Sequence, residues 1–112
     1  MVYTIYALVD PRDYRFYYVG LTSDPKRRYL EHRDGRSYGQ VWQRSKELKA
    51  AGIALMMVTL ETQPDVPQAI EAETRSIALL RSLGYALVNS STYHPGVSVQ
   101  GAIRKAAMRR EY

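Results

Sequence analysis

The sequence predicts a small α+β domain, and three observations predict it. Two β-prone runs, Val2 to Val9 and Arg15 to Leu21, flank the turn chemistry of Asp10-Pro11-Arg12-Asp13 and read as a hairpin. Helical segments with matched start and stop signals follow. A largely apolar run of strand length, Ile53 to Leu60, sits between two of those helices. With 112 residues and 46% apolar content, the chain is long enough for one domain with a modest core.

Each element has its own signal. A hairpin loop at Pro11 to Asp13 pairs Val9 with Arg15 and sets Tyr6 opposite Tyr18. Directly paired residues share one face of a sheet. Ser23-Asp24-Pro25 opens a helix, a capping residue followed by proline at the first helical position. That helix runs through Lys26 to about Arg33 and stops near Gly35. Ser37 caps a second helix from about Tyr38 to Ala50, ended by Gly52. Ile53 to Leu60 reads as a central buried strand. Asp65-Val66-Pro67 opens a third helix, closed by Gly84. Tyr85 to Val88 reads as a short edge strand ending at Asn89, and Ser90 to Gly96 as a loop. Ser98 caps a last, basic helix through Arg110.

Composition narrows the function classes. A net charge of +5 fits a polyanionic partner. The absence of cysteine removes disulfide frameworks and thiolate metal sites and suits a reducing, cytoplasmic setting. Met1-Val2-Tyr3-Thr4 has no basic region leading into a long apolar run, so neither a signal peptide nor a membrane span is expected. No Gly-rich phosphate loop, HExxH pattern or Ser/His/Asp set stands out, and His94, followed by Pro95, reads as incidental.

The chemistry-bearing groups gather in the first third of the chain. Most of its 10 tyrosines read as half-buried strand residues. A phenol, with its ordinary pKa of ~10, serves as a base only beside a cation that stabilises the phenolate. Arg28 supplies one. Arg28 and His32 are four apart and share one helix face. Arg28 offers a forked donor for a phosphate, against the plainer reading of a solvated charge run. His32 offers a hydrogen bond to a leaving oxygen or phosphate, or a proton shuttle.

Glu73 breaks the apolar stripe Val66, Ala69, Ile70, Ile77, Leu80. Its structural reading is a place at the stripe's edge, or an ion pair with an arginine such as Arg75 or Arg81. Its functional reading is a ligand for one hard cation, Mg²⁺ or Mn²⁺. Lys26 to Lys49 holds eight basic residues against three acids, with Tyr29, Tyr38 and Trp42 interleaved. Lys26, Arg27, Arg33, Arg36, Arg44 and Lys46 are the candidate nucleic-acid footprint.

Together these pieces resemble a GIY-YIG nuclease domain. Thr4-Ile5-Tyr6 is similar to the first motif and Tyr18-Val19-Gly20 to the second. The run from Gly20 to Arg28 resembles the family's stretch from glycine to arginine, and His32 stands at its histidine-or-tyrosine position. Glu73-Thr74-Arg75-Ser76-Ile77 resembles the helix carrying the metal-binding glutamate, and Leu87-Val88-Asn89 the closing motif. The resemblance covers Tyr3 to Asn89, about four fifths of the chain. Thr4 replaces the first glycine, Val19 stands for isoleucine, and Leu21 stands where some members carry a lysine that helps ionise a tyrosine.

The resemblance implies a three-stranded antiparallel sheet flanked by helices in residues 1–90. Residues 91–112 are then a loop and C-terminal helix packed on that domain or extending from it. It also implies single-metal hydrolysis of DNA phosphodiesters, with RNA left open as substrate. In that scheme Glu73 holds the metal, Arg28 offsets charge in the transition state, and Tyr6 or Tyr18 is the base, Tyr18 slightly favoured. The other tyrosine and His32 hold the phosphate, while Asn89 and Gly20 support the geometry. A homodimer or an added DNA-recognition domain is the partner left open. The rival expectation is a nucleic-acid-binding module without turnover on the same scaffold, and a protein-interaction domain is a more distant third.

Overall fold

The hairpin forms the heart of the sheet: β1 (Tyr3–Asp10) and β2 (Arg15–Thr22) pair antiparallel. The computed structural model describes residues 1–36 and 39–89. Helices α1 (Pro25–Arg33) and α2 (Gly39–Ala50) follow, then strand β3 (Met56–Gln63) and helix α3 (Val66–Ser82). The three strands are antiparallel in the order β2-β1-β3. The described residues therefore make a small α+β fold, an open antiparallel sheet with three helices. The Ser37 cap, the Ser90 to Gly96 loop and the basic helix from Ser98 to Arg110 lie outside the described residues. Among the described residues no helix is long and apolar enough to cross a membrane.

β1, not the Ile53 to Leu60 run, is the central strand. Ile5, Ala7 and Val19 pack with Ala69, Ile70 and Ile77 of α3 in one core cluster. Tyr6 and Leu8 pack with Val41 and Leu48 of α2 in a second. A strand covered on both faces is buried along its length, as β1 is after Tyr3. The later run divides instead. Leu55 is 2% exposed yet belongs to the connector that follows α2. The strand begins only at Met56, at a sheet edge, where Met56 and Val58 are exposed.

The hairpin register also differs from the expected one. Asp10 pairs with Arg15 and Val9 with Phe16, a bulge follows between Leu8 and Val9, and Leu8 then pairs with Tyr18 and Tyr6 with Gly20. The bulge places the extra residue Tyr17 on β2. Tyr18 therefore opposes Leu8, two residues from Tyr6, and the even spacing keeps both tyrosines on one face. Their ring centroids are 6.3 Å apart.

Sequence signals set the helix ends. Asp24 accepts a hydrogen bond from the Arg27 N–H at 3.1 Å, and Asp65 one from the Gln68 N–H at 2.9 Å. Past α3, Gly84 has φ +94°, where a side chain is strained. Its N–H donates to Arg81 O, and the Tyr85 N–H donates to Leu80 O. This closing turn is followed by Tyr85 to Asn89, which meets the outer edge of β2. The Val88 N–H donates to Tyr17 O at 2.8 Å. The Asn89 amide then imitates a peptide, accepting from the Val19 N–H at 2.9 Å and donating to Val19 O at 2.7 Å. The segment covers the edge without becoming the expected strand, because a side chain makes two of its bonds.

Candidate active site

Tyr6, from the middle of β1, lies at the centre of the site and is 1% exposed. Its ring passes over Gly20 of β2. A methyl group at Gly20 would stand 2.3 Å from the Tyr6 ring carbon Cζ and hydroxyl, so glycine is what lets the ring lie there. The Tyr6 hydroxyl and His32 Nε2 share a hydrogen bond of 2.8 Å, and the Arg28 Nε–H donates to the same hydroxyl at 3.4 Å. Both partners come from α1, one turn apart on its inner face. Tyr18, half-buried, stands edge-on to His32 at 5.5 Å between centroids. Two strands and one helix thus bring two phenols, an imidazole and a guanidinium into one cluster.

Burial governs the protonation states. Burial lifts the Tyr6 pKa above the ordinary phenol range; Tyr18 and Glu73 push the same way and Arg28 opposes them. Tyr6 is a neutral phenol at neutral pH. Burial also lowers the His32 pKa, and Arg28 adds to the effect, taking it from 6.5 to about 3. His32 is a neutral imidazole with no exposed surface. Its Nε2 is engaged by the Tyr6 hydroxyl. Burial disfavours charge on Arg28, but Tyr6, Tyr18 and Glu31 outweigh it and hold the guanidinium above its ordinary pKa.

The neutral imidazole has a measurable consequence. As pH falls through 6.5 the unfolded chain takes up a proton at this position, whereas the folded chain waits until about 3. Stability is therefore full above pH 6.5 and is lost below it, at up to ~1.4 kcal/mol per pH unit. Denaturant unfolding is expected to show a loss of about 2 kcal/mol between pH 7.5 and 5. His32→Gln should flatten that limb. Equal wild-type stability at the two pH values would show that the imidazole is not held neutral.

Glu73 occupies the inward face of α3 and is 4% exposed. Its charge is the smallest of the influences named above on Tyr6, which ties it to the cluster electrostatically. Arg75 pairs with Glu61 at 3.3 Å, and Arg81 donates to Asn89 O at 3.0 Å. Among the described residues no group of three or more His, Cys, Asp or Glu is placed to hold a metal. A single carboxylate suits a hard cation that takes its other ligands from water and substrate, not a closed protein cage.

The basic footprint divides. Lys26, Arg27 and Arg36 are exposed, and Lys46 lies 3.9 Å over the Trp42 ring. Arg33 pairs with Asp34 at 3.1 Å. Arg44 is committed inward: it pairs with buried Asp10 at 3.2 Å and stacks over Tyr17. Sequence reasoning passed over Glu31, which accepts from Arg28 Nη1 at 3.2 Å. The signal was its spacing, three residues after Arg28, on the face that Arg28 and His32 define. No family model matches the chain, and neither does any curated protein or solved structure.

Proposed function

We propose that the chain is a divalent-metal-dependent endonuclease that hydrolyses DNA phosphodiester bonds through a single-metal site. One observation carries this reading: the Tyr6 hydroxyl links Arg28 and His32, with Tyr18 against the imidazole. A purely structural core has little use for a guanidinium held this way, because desolvating a cation is costly. Phosphodiester hydrolysis uses each group. Arg28 offsets the charge that develops on the phosphoryl oxygens. Tyr18, half-buried and deprotonated beside the Arg28 cation, orients the attacking water and accepts its proton. Tyr6 and His32, both neutral and buried, fix the Arg28 side chain. Glu73 holds Mg²⁺ or Mn²⁺, which when bound polarises the phosphate. The exposed bases of α1 bring the polymer to the site.

The test is plasmid nicking in Mg²⁺, Mn²⁺ or EDTA. Nicked circles with either metal and none with EDTA are the expected result. DNA binding that is salt-dependent but never leads to a cut would make the chain a non-catalytic binder instead.

A further inference from the structure

Arg28 already holds an anion. Its Nη1 donates to Glu31 at 3.2 Å, with the two side chains 17% and 22% exposed. Its Nε is on Tyr6, and Nη2 has no hydrogen-bond partner among the described residues. A guanidinium grips a phosphate best through two neighbouring nitrogens. With Nε occupied, the remaining fork is Nη1 and Nη2, and Glu31 sits on one of its prongs. The other acids of this segment face different arginines: Asp34 meets Arg33, and Glu47 approaches Arg12 at 3.8 Å. Of the three, Glu31 is the one that meets Arg28.

We propose that Glu31 is the resident counter-ion of Arg28, and that a phosphate of the bound polymer displaces it from Nη1. The inference rests on the reading that Arg28 meets a phosphodiester. Between substrates, Glu31 keeps a largely desolvated cation paired and aimed. When a phosphate arrives, one oxyanion replaces another on the same N–H, and the carboxylate, part exposed, swings to water. Glu31 therefore weakens ground-state binding while keeping the fork in place.

Binding of a short labelled duplex, measured in EDTA at fixed salt, tests this without cleavage. Glu31→Gln is expected to tighten binding roughly three- to tenfold, the range of a partly exposed charge pair. In an Arg28→Ala background the same change should give no more than Glu47→Gln gives, since that variant removes one negative charge elsewhere. Unchanged or weaker binding by Glu31→Gln overturns the proposal, and so does a gain that persists without Arg28. The wild-type protein gives a second readout. The side-chain N–H resonances of Arg28 should move on saturation with duplex, and resonances that stay put, or a duplex that does not bind, also overturn it. If these binding results hold and Mg²⁺ still yields no cut, only the nuclease reading falls.

Discussion

Arg28→Ala is expected to slow metal-dependent nicking by ~100- to 1000-fold, the usual loss when one preorganised transition-state donor is removed. Glu73→Gln should fall at least as far, because an amide holds a hard cation poorly. The structure separates these losses from misfolding. Without Arg28, the Tyr6 hydroxyl keeps its 2.8 Å bond to His32, and Glu31, 22% exposed, turns to solvent. The stability cost should be ~1 kcal/mol, one hydrogen bond's worth. Glu73→Gln keeps the volume of the side chain, so the variant should still fold. The variants also differ in binding. Arg28→Ala should weaken DNA affinity and flatten its salt dependence by about one phosphate contact, whereas Glu73→Gln should bind normally in EDTA. Folded variants that still nick at wild-type rates would dismiss the assignment.

What was legible in the sequence was local chemistry. Asp24-Pro25 and Asp65 announced the starts of α1 and α3, and each cap bond is made. The stripe of α3 was readable from its period, including the inward placement of Glu73. Long-range pairing was less legible. Ile53 to Leu60 and Val2 to Val9 are both largely apolar runs, and composition alone does not rank them. Centrality depends on which strand finds cover on both faces, and that is decided by α2 and α3 together. The bulge was invisible for a similar reason. Phe16, Tyr17 and Tyr18 all suit a strand, so nothing local says which is extra. The shared face of Tyr6 and Tyr18 survived because Leu8, not Tyr6, takes the place opposite Tyr18, a displacement of two. Glu31 was hidden inside a charge run, where spacing shows a neighbour but not that the neighbour is half-buried and bonded to Arg28.

Gly20→Ala tests the architecture of the site at the cost of one methyl group. The new Cβ would lie 2.3 Å from the Tyr6 Cζ and hydroxyl and 2.8 Å from Cε1, separations that a non-bonded carbon does not tolerate. Relief can come from the ring or from the strand. The ring is 1% exposed and is held at its tip by His32 and Arg28, so it moves only by giving up those bonds. The strand is fixed on one side by β1 and on the other by the Asn89 amide on neighbouring Val19. Overpacking of this kind destabilises by about 1–3 kcal/mol. Displacing the hydroxyl by about an ångström also unseats the guanidinium it receives, and such misplacement costs ~100-fold in rate. The expected result is a folded protein with a lower melting temperature, nicking reduced by two orders of magnitude, and an acid limb of stability altered because His32 has lost its partner. Tyr6→Phe in the Gly20→Ala background separates the causes. It removes the hydroxyl that collides, so part of the melting temperature should return while nicking stays low. Recovery of both would show that the Tyr6 hydroxyl only fills space, and unimpaired nicking by Gly20→Ala alone would show that the Tyr6–Arg28–His32 contact plays no part in cleavage.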